Sequence, residues 1–171
     1  MALKIDWLKM NSNNLIDVII PVAGKGVRLS PHTNYNQKCL LPVGGKPILG
    51  HILSKIENLN INTVKLITGH LEDKVKDYIK EFPKFNFECI YQSEQLGLGH
   101  AIKLGLVKSD IPVLIILGDS IFDIDYNKFC QYNNSNIGVL EVEDPERYGI
   151  IELKNDKISK FVEKPKKPKS N

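Results

Sequence analysis

The 171-residue sequence has only three cysteines, Cys39, Cys89 and Cys130, far apart and odd in number. None stands in CxxC spacing, which argues against a disulfide framework or a zinc site and fits a reducing compartment. No apolar run approaches the ~20 residues of a membrane span. Lys4, Asp6 and Lys9 occupy the stretch where a signal peptide would carry its apolar core. The expectation is a cytoplasmic chain with no membrane partner. Net charge is also small: a formal +3 gives no argument for nucleic acid. The charge is uneven, with seven lysines between Lys154 and Lys169 against Asp156 and Glu163. That segment reads either as a solvated basic face or as an anion-binding one. Two familiar phosphate motifs are missing as well. A dinucleotide fingerprint needs glycine where Leu29 stands, and a Walker loop would follow Gly45-Lys46 with Ser or Thr, not Pro47.

With 42% hydrophobic and 25% charged residues, the chain is that of an ordinary globular protein. Residues 1–15 end in the polar cluster Asn11-Ser12-Asn13-Asn14 and read as an N-terminal extension or linker, with Leu3, Trp7 and Leu8 on one face of a short helix. One domain is expected over 16–171. Val18-Ile19-Ile20 opens it as a strand buried on both faces. The glycine loop Gly24-Lys25-Gly26-Val27-Arg28 follows, combining backbone freedom with two cations where a triphosphate could be held. Lys38 and the turn Gly44-Gly45-Lys46 are expected to add further cations to that site.

Beyond Pro47, a helix start, the pattern alternates. Strands are expected at 63–68, 85–91 and 112–117, with helices at 47–59, 71–82, 97–107 and 125–132. Ile137–Glu143, Gly149–Leu153 and Lys157–Glu163 read as strands with no helix between them. This predicts an α/β fold with a mainly parallel sheet and an antiparallel extension. Ligands of such sheets lie beyond the carboxyl ends of the strands, which puts the glycine loop, Tyr91-Gln92, Gly97 and Asp119 on one rim.

The stretch Asp17–Leu49 resembles, over about thirty positions, the signature of the sugar-1-phosphate nucleotidylyltransferases. Tyr91–Ala101, Leu114–Ser120, Asp144–Ile151 and Phe161–Pro165 resemble that family's later blocks. The resemblance implies a Rossmann-like three-layer α/β/α nucleotidyltransferase fold. It also implies a reaction: transfer of a nucleotidyl group from a nucleoside triphosphate, dTTP or UTP favoured, to a sugar 1-phosphate, glucose 1-phosphate favoured. Arg28, Lys38 and Asp119 are then the catalytic residues, with Asp119 holding Mg²⁺. Ala23, Gly24, Gly26, Gln92 and Gly97 are the nucleotide contacts, Gln92 both donating to and accepting from the base. Gly149, Glu163 and Lys164 are the sugar-phosphate contacts. His100 reads as a packing residue, and His32, His51 and His70 as structural. Val27 stands in place of the usual threonine. Gln37 stands in place of the usual proline, which is expected to loosen the turn before Lys38. The family also runs on past the point reached at Asn171, through a second metal aspartate and part of the sugar pocket. A missing C-terminal part is therefore expected, as is a homo-oligomer for the full-length protein. Two other readings stay open: a catalytically silent nucleotide-sensing regulatory module, and a cytidylyltransferase acting on a phosphorylated alcohol.

Overall fold

The computed structural model describes residues 15–106, 111–131, 134–155 and 157–170. The extension expected over 1–15 lies, apart from Leu15, outside the described residues. The chain divides into two compact units, Met1–Tyr132 and Asn133–Asn171.

In the first unit four strands form one sheet: β1 (Ile16–Pro21), β4 (Ile61–Thr68), β5 (Phe87–Tyr91) and β6 (Val113–Ile115). Their order is β5-β4-β1-β6 and every pair is parallel. Successive side chains of a strand point to opposite faces, so a strand covered on both sides must be apolar at every position. β1 meets that demand with Val18, Ile19 and Ile20, all fully buried. Val18 and Ile20 join the larger core with α2 (Ile48–Ile56), α3 (Glu72–Ile79) and α5 (Tyr126–Phe129), which contribute Leu49, Leu53, Ile56, Val75 and Tyr126. Ile19 joins Ile67 of β4 and Ala101 of α4 (Leu98–Gly105) in a smaller core on the opposite face. The result is the three-layer α/β/α arrangement that was expected. Each buried Ile or Leu on these faces contributes about 1.5–3 kcal/mol of transfer free energy.

A short helix, α1 (His32–Tyr35), follows the glycine loop. The strand pair β2 (Pro42–Val43) and β3 (Lys46–Pro47) then makes a small hairpin around Gly44-Gly45. Pro47 is therefore the last residue of a strand and the cap of α2 rather than its first helical residue.

At the start of β1 the sheet carries a buried ion pair. Lys65 Nζ donates to Asp17 Oδ2 at 2.9 Å, Asn62 Nδ2 donates to Asp17 Oδ1 at 2.8 Å, and both charged residues are under 5% exposed. Burial pushes the Asp17 carboxyl up, but the hydrogen bonds from Asn62 and Lys65 and the lysine charge outweigh it and hold the group below its ordinary value.

In the second unit β7 (Gly149–Lys154) and β8 (Lys157–Glu163) pair antiparallel as a hairpin turned at Asn155, which takes the left-handed conformation (φ 52°). The antiparallel strands thus form a separate two-stranded sheet. The strand expected at Ile137–Glu143 is absent from the described residues. That segment is irregular, and Ile137, Val139 and Leu140 are 50%, 64% and 83% exposed. A run of apolar residues can suit a ladder, but a strand also needs a partner beside it. No helix among the described residues is long and apolar enough to cross a membrane.

Candidate active site

Because β4 follows β1 on one side and β6 lies on its other side, the chain reverses direction across the sheet at β1. A crevice forms at such a switch point, beyond the carboxyl ends of the strands. Here it is an open cleft of about 800 Å³, walled by the loop after β1, the Gln37–Cys39 turn, the Gln92–Leu98 segment after β5 and the Leu117–Asp119 turn after β6. All eight residues read from the sequence as catalytic or nucleotide-binding line it: Ala23, Gly24, Gly26, Arg28, Lys38, Gln92, Gly97 and Asp119.

The loop after β1 is fixed residue by residue. Gly26 sits at φ 63°, ψ 33°, and a Cβ there would come within 2.9 Å of Thr33 Cγ2. Only glycine meets both conditions without strain. Thr33 is 2% exposed; its hydroxyl donates to Gly26 O at 2.9 Å, and His70 contacts Thr33 O at 3.2 Å. Gln95 Nε2 donates to Ala23 O at 3.2 Å. The buried Gln37 side chain spans from this loop to Cys39. Far from loosening the turn, as expected of a residue in the proline's place, it ties the turn to the glycine loop. Gln37, Thr33 and Gln95 were all missed as contributors. Gln95 sits in the Tyr91–Ala101 stretch three residues after Gln92, but nothing local marks its partner.

Gly118 brings the end of β6 against the end of β1: a Cβ on it would fall 2.6 Å from Pro21 O. The next residue, Asp119, is thereby delivered to Lys38, whose Nζ donates to Asp119 Oδ2 at 2.5 Å. Partial burial pushes the Asp119 carboxyl up, and the Lys38 bond, the Lys38 charge and the Ser120 hydroxyl at 3.2 Å more than cancel it, leaving the group below its ordinary range. The sequence reading gave these two residues separate partners, phosphate and metal; here they hold each other. Among the described residues no group of three His, Cys, Asp or Glu side chains could hold a metal. Asp119 is the one carboxylate lining the cleft, and a single carboxylate completed by phosphate oxygens and water suits Mg²⁺.

Gln92 is 5% exposed. Its Nε2 faces His100 Nδ1 at 3.0 Å and Gly97 O at 3.4 Å. Those contacts engage the amide's donors and leave Oε1 as its acceptor, which narrows the two-way role read from the sequence. His100 orients Gln92 rather than simply packing. His51 contacts Val43 O at 2.8 Å, in keeping with a structural role. Lys25, His70 and Tyr91 line a neighbouring hollow of about 450 Å³ that shares Gln92 and Gln95 with the cleft. Lys46 belongs to neither; its ammonium donates to Ser54 Oγ, so the Gly44-Gly45 turn adds no cation to the cleft. Cys39 lines the cleft but is 1% exposed, and burial pushes its thiol up to about 12.

The three remaining predicted residues lie in the second unit. Gly149 and Glu163 are directly opposed in the β7–β8 register, and a Cβ on Gly149 would approach Glu163 Oε2 to 3.0 Å. Lys164 holds φ 42°, donates its N–H to Tyr148 O at 3.0 Å, and keeps its ammonium 3.7 Å from Glu163 Oε1. The hairpin thus brings together residues that are far apart in sequence. The seven lysines of 154–169 are all exposed.

A parallel sheet between two helical layers, with glycine, cation and carboxylate turns meeting at its switch point, defines a nucleotidyltransferase-like α/β protein. Comparison with known proteins agrees. The chain belongs to the nucleotidyl transferase family, which it matches over residues 17–171. It is 42% identical over 155 residues to the bifunctional protein GlmU of Methanococcus maripaludis strain S2, covering 89% of this chain and 36% of that protein. Among solved structures it resembles a Bacillus anthracis protein assigned as a glucose-1-phosphate thymidylyltransferase, crystallised with sucrose (32% identity, TM-score 0.73, 91% of this chain and 67% of that one). It also resembles a UDP-glucose pyrophosphorylase bound to UDP-glucose (26% identity, TM-score 0.76, 88% and 69%). The chain spans about a third of the length of the GlmU relative.

Proposed function

We propose that this protein serves as a sugar-1-phosphate nucleotidylyltransferase using dTTP or UTP, with glucose 1-phosphate as the favoured acceptor. A phosphate oxygen of the sugar 1-phosphate bonds to the α-phosphorus of the triphosphate, the α–β bridging bond breaks, and pyrophosphate leaves. The nucleophile is already anionic, so the barrier lies in bringing two anions together and bearing the charge that develops. Arg28 and Lys38 would meet the phosphates, the backbone of Ala23, Gly24 and Gly26 would hold the nucleotide, and Gln92 with Gly97 would take the base. Gly149, Glu163 and Lys164 would bind the sugar phosphate. Mg²⁺ on Asp119 would neutralise phosphate charge.

The observation that carries this reading is the convergence of eight residues from three separate strand ends on one cleft. The names of the solved relatives, one a UDP-glucose pyrophosphorylase and one assigned as a glucose-1-phosphate thymidylyltransferase, support the choice of substrates. The test is pyrophosphate release from a matrix of five nucleoside triphosphates and several hexose 1-phosphates, alongside nucleotide binding by calorimetry. Turnover with a pyrimidine triphosphate and glucose 1-phosphate is expected. Binding without pyrophosphate would favour a sensing module, and neither binding nor turnover would overturn the reading.

A further inference from the structure

Three consecutive carbonyls of the loop after β1 are held by side-chain amides from elsewhere in the chain. Gln37 Nε2 donates to Val22 O and, at 2.9 Å, to Gly24 O; Gln95 Nε2 donates to Ala23 O at 3.2 Å. Gln37 Oε1 accepts from Cys39 N at 2.8 Å, so every hydrogen-bonding atom of this 1%-exposed amide is engaged. In a trans peptide the N–H lies on the side opposite the C=O. Pinning the carbonyls of residues 22–24 therefore turns the N–H groups of Ala23, Gly24 and Lys25 away from those amides. Among the described residues these three N–H groups donate to no protein acceptor. Backbone N–H groups left free in a loop of this kind can receive an anion.

We propose that Gln37 is a positioning residue: it holds the loop with its carbonyls tied and its N–H groups presented to the phosphates of a nucleotide, and it locks this loop to the turn carrying Lys38. This rests on the nucleotide-binding reading above. The residue touches no reacting atom. Its effect is to keep the receptor assembled before the ligand arrives.

The backbone supplies a clean test. Gln37 has φ −71° and ψ 142°, and Asn36 before it is extended at φ −138°, ψ 147°, so proline fits the path at 37. Besides the side chain it loses only the Gln37 N–H bond to Asn36 Oδ1 at 3.1 Å, which Gln37→Glu keeps. Gln37→Pro deletes the whole amide. Gln37→Glu keeps the acceptor for Cys39 N–H but loses both donors to the loop. Binding of UTP and uridine to the wild type and both variants would be measured by calorimetry, with hydrogen exchange at Cys39. The expected result is a Kd for UTP raised by on the order of tenfold in both variants, the scale of one lost hydrogen bond, with uridine affinity unchanged. Cys39 N–H protection should fall in Gln37→Pro and persist in Gln37→Glu. An unchanged UTP Kd in the Glu variant, or equal losses for UTP and uridine, overturns the proposal even if the Pro variant does not fold. A wild type that binds no UTP removes the nucleotide reading first, and this inference with it.

Discussion

Lys38 and Asp119 lie 81 positions apart and meet at 2.5 Å on the floor of the cleft. Each is the other's counterion, so any anion or cation entering there would have to exchange partners with the pair. The lysine also helps keep the carboxylate ionised. Lys38→Met should therefore raise the Asp119 pKa, because burial remains while the largest opposing influence is gone. Carboxyl chemical shifts followed through a pH titration would show this as a midpoint moved upward. An unmoved midpoint would mean that the contact does not persist in solution.

For the proposed reaction, Asp119→Asn should lower pyrophosphate release by about 100-fold or more, the usual scale for losing one preorganised electrostatic group, while leaving the melting temperature nearly unchanged. Steady-state rates at saturating substrate provide the check.

At the far end of the same sheet, the Asp17–Lys65 pair predicts stability instead. Asp17→Asn leaves a buried ammonium without its carboxylate and should cost about 3–5 kcal/mol, whereas Asp17→Leu with Lys65→Met should recover most of that loss. The sign of the pH effect follows from a folded pKa below the ordinary 3.8. The carboxylate contributes stability above the unfolded value and loses it as pH falls through the folded one. Urea unfolding of the wild type should therefore weaken on acidification below about pH 4, and the double variant should lose less over that window.

Gly24 and Gly26 separate folding from binding. A Cβ on Gly24 meets nothing within 4 Å, while one on Gly26 would clash with Thr33 at a left-handed φ. Gly26→Ala should destabilise by about 1–2 kcal/mol. Gly24→Ala should leave the unfolding midpoint in place, so any weakening of its UTP affinity reports on the ligand side of the loop.

Cys39 should resist alkylation in the native state. With its thiol pushed up to about 12 by burial, almost no thiolate exists at pH 8, and thiolate is the reactive form. Iodoacetamide labelling followed by peptide mass mapping should show Cys39 unmodified until denaturant is added. Rapid native labelling would contradict its burial.

Much of this was legible because short-range signals carry it. Val18-Ile19-Ile20 declares a strand covered on both faces, and the cleft-lining residues Gly26, Arg28 and Lys38 lie within one continuous stretch. What could not be read depends on partners distant in the chain. Nothing near Gln37 announces that its amide reaches back to Val22 and Gly24, so its standing where a proline is usual suggested a loose turn. Lys46 looked like a phosphate cation because it follows two glycines, yet the hairpin sends it to Ser54. Ile137–Glu143 has the apolar content of a strand, but composition does not supply the neighbour that a ladder requires.

The parallel sheet has two poles that share little chemistry. One end of β1 carries the Asp17–Lys65 pair, and the other opens into the loop that faces Lys38 and Asp119. Directed evolution of this protein could therefore proceed on two separable fronts. Substitutions around Asn62, Asp17 and Lys65 would set how much mutational damage the chain tolerates, while substitutions at the cleft end would change what the cleft accepts.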